Sequence, residues 1–179
     1  VTAISANPSK VFIGEHVTIN TTVENDGDFV ENLVQVNVTY SGTKSYKETL
    51  IESKSISLIV GESKNLTFTW DTTGVAPDSY TVTAKAIVDR DANPGNNQRF
   101  VSVEVEMWPP GHIAGFVKDA STQKPIKGAN VTTSTYFNIA DTNGHFNITN
   151  VPIGKYNVTA SAQGYQTSTK INITVITGQ

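Results

Sequence analysis

A chain of 179 residues with a net charge of −3 has room for one large or two small domains, and with no cysteine it has neither a disulfide nor a thiol nucleophile. Its charges are interspersed, which excludes the basic stripe of a nucleic-acid binder, and no apolar run is long enough to span a bilayer. With 24 Thr, 14 Ser, abundant Val and Ile and one Met, the composition is that of strands, and no stretch keeps the 3.6-residue apolar period of a helix.

No signal sequence precedes Val1, as expected of a mature chain or an excised segment. Strands are predicted at Thr2 to Ala6, His16 to Glu24, Val34 to Ser41, Tyr46 to Leu58, Ser63 to Trp70, Ser79 to Asp89 and Gln98 to Glu106. In His16 to Glu24 the side chains of Val17, Ile19 and Val23 share one face, and Leu66, Phe68 and Trp70 do so in a later strand. Such strands bury one face and wet the other. Turn residues separate them, notably Asn7-Pro8, Asn25-Asp26-Gly27-Asp28, Gly61 and Asn93-Pro94-Gly95.

The pattern breaks at Met107-Trp108-Pro109-Pro110-Gly111, where two prolines cannot continue a ladder. Residues 107–111 therefore read as a short stiff linker between domains at 1–106 and 112–179. Beyond it, Asp141-Thr142-Asn143-Gly144 predicts a hairpin turn, with Asn and Gly able to take positive φ. Gly154 opens a strand that buries Tyr156, Val158 and Ala160.

Several of these residues together carry two family resemblances. Asn7-Pro8, Phe12-Ile13-Gly14-Glu15, Val17-Thr18-Ile19, Val23 to Gly27, Gly61-Glu62-Ser63, Phe68-Thr69-Trp70, Tyr80-Thr81-Val82 and Asn96-Asn97 resemble a CARDB domain, an adhesion-related immunoglobulin-like module. Gly115 to Asp119, Pro125 to Val131, Asp141 to Phe146, Gly154-Lys155-Tyr156 and Gly164-Tyr165 resemble the carboxypeptidase regulatory-like domain, a transthyretin-type sandwich. The resemblances imply an all-β chain of two consecutive immunoglobulin-like or transthyretin-like sandwiches, the first with seven strands. They also imply an extracellular setting and no enzymatic activity in either domain.

Seven Asn-x-Thr sequons stand at Asn20, Asn37, Asn65, Asn130, Asn147, Asn157 and Asn172. Random order would give about three Asn-x-Ser/Thr triplets. Alternation alone explains part of the excess, because an outward strand face favours Thr around an inward apolar residue. Asn is nevertheless a poor strand residue, and N-glycosylation is the preferred reading. Every sequon asparagine is then expected to face solvent. Absent cysteine with heavy sequon use fits an archaeal surface protein; a bacterial exoprotein, with sequons as mere strand pattern, is the alternative.

No catalytic constellation is present. Asp89, Asp91 and Asn93 form a calcium candidate, since hard cations take several oxygens from one short turn. Pro94, however, stands where such a loop needs Gly and Phe100 where it needs a bidentate Glu, so a plain turn is the preferred reading. Asp26, Asp28 and Glu31 form a weaker acidic loop. His16, His112 and His145 lack metal spacing. No cofactor is expected beyond that calcium alternative. Trp70 is in phase with the core, whereas Trp108 in the linker is the candidate partner contact.

The expected function is a non-enzymatic glycosylated cell-surface structural protein. It would be a subunit or repeat of an extracellular filament, sheath or surface layer, self-associating into a polymer or lattice and joined by strand donation through a terminus. The alternative is an adhesin or a carbohydrate- or protein-binding accessory module of a larger secreted protein.

Overall fold

Alternation with period two becomes alternation between core and solvent along nearly every strand of the first unit. The computed structural model describes residues 1–89, 91 and 93–177, so Gly178 and Gln179 of the expected second domain and Arg90 and Ala92 of the calcium candidate's turn lie outside it. The chain divides into two compact units, Val1–Met107 and Trp108–Gln179. Among the described residues the one helical element is a 3₁₀ turn at Pro94–Asn96.

The first unit holds β1 (Ala3–Asn7), β2 (Lys10–Phe12), β3 (His16–Glu24), β4 (Glu31–Gly42), β5 (Thr49–Leu58), β6 (Ser63–Asp71), β7 (Asp78–Ile87) and β8 (Gln98–Glu106). One sheet has the order β1-β3-β6 and the facing sheet β2-β8-β7-β4-β5. In β3 the side chains of Val17, Ile19, Thr21 and Val23 are buried while their neighbours face outward. Val17, Ile19 and Val23 pack with Phe68 and Trp70 and with Val34, Val36, Val38, Val82, Ala84, Val103 and Val105 in one cluster. Each fully buried side chain of this size contributes about 1.5–3 kcal/mol, and a one-residue slip would turn a whole strand's set to solvent.

The seven strands implied for this unit become eight. Pro8 has no N–H to donate, so the first strand breaks there and crosses between sheets. β1 continues antiparallel to β3, whereas β2 lies parallel to β8, with Lys10 opposite Glu104 and Phe12 opposite Glu106.

Polar groups close the ends of the sandwich. The buried Asn25 donates from Nδ2 to the carbonyls of Phe29 (2.7 Å) and Leu58 (3.2 Å) and accepts from the Gly27 N–H at 3.1 Å. Its backbone bonds Glu62 and Gly61, so one side chain ties the β3–β4 turn to the β5–β6 turn. Thr72, fully buried, accepts from the Gly14 N–H and donates to the Glu15 carbonyl at 2.7 Å. The Tyr80 hydroxyl donates to the Ala76 carbonyl at 2.8 Å, an anchor four residues back. Burial raises its pKa, which keeps the phenol a donor. The ring meets Trp70 edge-on at 5.5 Å, and Tyr40 stacks on Trp70 at 4.7 Å.

Where β5 and β6 meet from opposite sheets, two lysines bridge the seam. Lys54 Nζ donates to the Thr67 carbonyl and lies 5.0 Å from the Phe68 ring centre, and Lys64 Nζ donates to the Ser57 carbonyl at 2.6 Å. Lysines at an edge discourage pairing with a further strand.

The second unit holds β9 (Gly111–Phe116), β10 (Asn130–Thr132), β11 (Phe137–Ile139), β12 (His145–Val151), β13 (Gly154–Ser161) and β14 (Ser168–Val175). Its sheets are β11-β10-β13-β14 and β12-β9. Ile113, Val131, Phe146, Ile148, Val151, Val158 and Val175 form the core, with Ile126, Ala129 and Ala140 as a satellite. Tyr156 repeats the anchor of Tyr80, donating to the Pro152 carbonyl at 2.9 Å.

The Asp141–Gly144 turn differs from the predicted hairpin. It joins β11 to β12, which lie in different sheets, so it is a corner between layers. Gly144 takes φ +72°, and a Cβ there would strike the Val117 carbonyl. Asp141 Oδ1 holds the turn by accepting from the N–H groups of Asn143 and His145.

Asn25→Ala leaves the Phe29 and Leu58 carbonyls without this donor. The variant is expected to lose about 2 kcal/mol in urea unfolding of the full chain followed by the fluorescence of the buried Trp70, while Asn32→Ala, on the exposed side of β4, leaves the midpoint within about 0.5 kcal/mol of the parent.

Candidate functional site

The residues with functional promise are the sequons, and strand register decides how each is presented. Asn20 and Asn65 occupy the outward face of β3 and β6, where Asn20 lies opposite Thr67 and Thr22 opposite Asn65. The two sequons thereby pair head to tail. Thr67 donates its hydroxyl hydrogen to Asn20 Oδ1 and Thr22 to Asn65 Oδ1, both at 2.8 Å. In each pair the amide oxygen is engaged, so Nδ2, the atom that an N-linked sugar would occupy, points away from the hydroxyl.

Asn37 departs from the expectation that every sequon asparagine faces solvent, because it is half-buried. It lies in an inner strand between Ser53 of β5 and Lys85 of β7. Its Oδ1 accepts from Ser53 at 2.7 Å, and Ser53 in turn accepts from Gln35. Asn130, Asn147, Asn157 and Asn172 are exposed on the second unit. Asn172 sits in a β-bulge of β14 with φ 57°, a left-handed conformation that Asn tolerates better than most residues. Its N–H donates to Asn157 Oδ1 at 3.2 Å, so these two sequons share one spot.

Two acidic loops that are distant in sequence meet at one end of the first unit. Asp26, Asp28, Glu31, Asp91, Asn93 and Arg99 line a single open cavity of ≈ 610 Å³. Asp91 spends its oxygens inside its own turn, accepting from the Asn93 N–H at 2.7 Å and from Asn97 Nδ2. Asp89 is exposed on the adjoining turn. Among the described residues no group of three His, Asp or Glu side chains is arranged to hold a metal ion. Trp108 is half-buried. His145 is half-buried as well, its ring edge-on to Phe116 at 5.2 Å.

The strands expected to act as donors at the termini are both engaged within the chain. β1 pairs with β3 along its whole length, and β14 pairs with β13. Neither is a loose segment within the folded chain. What each offers is the second, outer edge of a strand already in a sheet.

Family comparison matches this architecture. The CARDB model covers residues 1–97, and the carboxypeptidase regulatory-like domain model covers 112–179. The chain belongs to the CARDB family. Among solved structures it is similar to a CARDB domain from Pyrococcus furiosus in complex with di-metal ions, at 25% identity over 57% of this chain and 84% of that one, TM-score 0.48. It is also similar to a β-glucosidase from Erythrobacter marinus, at 13% identity over 58% of this chain, TM-score 0.46. A β-glucosidase from Listeria innocua in complex with gluconolactone gives 17% identity over 57% of this chain, TM-score 0.40. The chain covers only 15% and 16% of those enzymes, and nothing of their activity transfers to it. No curated protein sequence matches. Both domain types are non-catalytic immunoglobulin-like modules of the adhesion or regulatory kind.

The carboxylates of the CARDB unit work as turn anchors. Asp78 is held below the usual carboxylate range, chiefly by the Thr43 hydroxyl and then by the N–H groups of Lys44 and Ser79. Asp71, through the Thr73 hydroxyl and N–H, is lowered in the same way. A lowered folded-state pKa contributes stability above the unfolded value of about 4, and that stability is lost as pH falls through the folded value. Asp78→Ala is therefore expected to lower Tm more at pH 7 than near about pH 2, because the parent's advantage shrinks as its carboxylate takes up a proton. A Tm gap that stays constant between the two pH values in thermal unfolding would contradict this.

Proposed function

We propose that this chain is a non-enzymatic, N-glycosylated cell-surface protein, a subunit or repeat of an extracellular filament, sheath or surface layer. One observation carries the reading. Six of the seven sequon asparagines project from exposed positions on both units, far more than chance supplies, and each is held by a rigid strand. Two folded modules of non-catalytic families suit a load-bearing or spacing role. Their strand edges offer N–H and C=O groups to a neighbouring copy, and the absence of cysteine beside many sequons favours an archaeal source.

The open cavity that Asp26, Asp28 and Asp91 line marks one end of the first unit, and the Asp91 oxygens there already accept from Asn93 and Asn97. A second reading, a binding module in an adhesin or secreted hydrolase, draws on exposed apolar groups at the same end. Phe29 is 79% exposed, and Ile59 and Val60 follow Leu58, whose carbonyl shares the Asn25 amide with that of Phe29.

Glycopeptide mass spectrometry of protein from the producing organism is expected to find sugar on most sequons, with the half-buried Asn37 occupied least. Seven bare asparagines would sink the glycoprotein reading. Electron microscopy of the same material separates the two roles: ordered polymers or lattices support the structural one, and discrete particles at every concentration point to the binding module.

A further inference from the structure

The outward face of the β11-β10-β13-β14 sheet is polar along its two inner strands, where Asn130, Thr132, Asn157, Thr159 and Ser161 point to solvent or lie half-buried. Its edge strand β11 breaks the rule. Phe137 and Ile139 stand on the outward side, 70% and 53% exposed, while Asn138 between them turns toward the core side that Val131 occupies. An exposed aromatic and an exposed β-branched residue on an edge strand invite pairing with another chain.

Register gives these two residues a neighbour. Ile139 lies directly opposite Asn130, and Phe137 directly opposite Thr132, so the whole sequon Asn130-Val131-Thr132 faces the apolar pair across one ladder. Directly opposed side chains in an antiparallel pair have Cβ atoms about 4.5–5.5 Å apart, and the diagonal from Asn130 to Phe137 is about 7–8 Å, within reach of a large group. Asn130, Thr132, Phe137 and Ile139, with Tyr136, line an open groove of ≈ 570 Å³ on this face. On its other side Asn130 has only Ser161, a small polar neighbour.

We propose that Phe137 and Ile139 are a platform for the first sugar of a glycan on Asn130. A pyranose ring has one face of C–H groups, and a planar N-linked amide would hold that face near the strand from which it grows. Laid over the Phe137 ring, it removes apolar area from water on both partners. The hydroxyl groups on its rim stay solvated. The sugar thus covers the edge strand that the sheet leaves open, and the apolar pair fixes the direction in which the glycan leaves the surface. Ile171 repeats the arrangement: with Asn172 it fills the bulge opposite Asn157 and is 66% exposed.

This inference rests on glycosylation as proposed above, and its test keeps the two apart. The full chain is secreted from a host that N-glycosylates Asn-x-Thr and is trimmed to one N-acetylglucosamine per site. Four proteins are compared by thermal unfolding: the parent, N130Q, F137S and the double variant. N130Q is expected to lower Tm by about 4 °C with Phe137 present and to leave it unchanged in the F137S background. An equal drop in both backgrounds would overturn the platform. A second readout is independent of stability. In NMR of the trimmed parent, the ring protons of the sugar on Asn130 are expected to be shifted upfield by the Phe137 ring, an effect that disappears in F137S. Sugar shifts matching those on Asn20, which has no aromatic residue opposite or diagonal to it, would also overturn it. In protein from the producing organism, a bare Asn130 beside occupied sequons elsewhere defeats the platform alone, and seven bare asparagines defeat both proposals.

Discussion

The antiparallel ladder between β3 and β6 is the constraint on which the first unit hangs. It runs from His16 opposite Asp71 to Glu24 opposite Ser63 without a register shift. On one side it brings Val17, Ile19 and Val23 beside Phe68 and Trp70, the largest buried side chains of that sheet. On the other it brings two sequons into head-to-tail contact. A slip of one residue would fail on both sides at once, since asparagines would enter the core as Ile19 and Phe68 left it. Core packing therefore decides which atoms of the two sequons the folded surface presents. The β10–β11 pair repeats the logic in the second unit on a smaller scale.

Sandwiches have ends and edges as well as faces, and this chain treats them differently in its two units. In the first, buried polar side chains close the ends: Asn25 at one and Thr72 at the other, each with its partners satisfied. Lysines cover the seam between β5 and β6. In the second, the core is thinner, and β14 leaves most of its residues exposed. Its outer edge is disturbed by the bulge at Asn172, where the left-handed backbone interrupts the row of hydrogen-bonding groups. Here sugars would do what side chains do in the first unit.

Strands with strict alternation were legible from sequence to the residue, as in His16–Glu24 and Gln98–Glu106. Lys10–Phe12 was not, because three residues after a proline carry no period to read. Tyr46 to Glu48 look like strand but precede it, the ladder starting at Thr49. The Asp141–Gly144 turn was legible as a turn but not as a corner, since turn chemistry says nothing about which sheet the next strand joins. Asn25 read as one more turn residue, and only the folded chain shows its amide spanning two turns. For the sequons, alternation gave the outward phase, that of Asn37 between the buried Val36 and Val38 included, whereas the half-burial of Asn37 came from long-range neighbours, Ser53 and Lys85. The pairing of sequons across strands had one faint signal: two Asn-x-Thr triplets in strands of equal phase. Which strands become partners is a tertiary fact.

The break at Pro8 has a mechanical consequence. Because the chain crosses sheets there, β2 runs parallel to β8, the last strand before the proline-rich connection, and Lys10 reaches both Glu104 (3.6 Å) and Glu106 (2.6 Å) across the pair. Tension applied between the two ends of this unit pulls parallel neighbours in opposite directions along their length. Their hydrogen bonds are then loaded together in shear and give way as a group, whereas a hairpin pulled open from one end would part bond by bond. A module built in this way resists stretching with few contacts, at the place where its first residues meet its last.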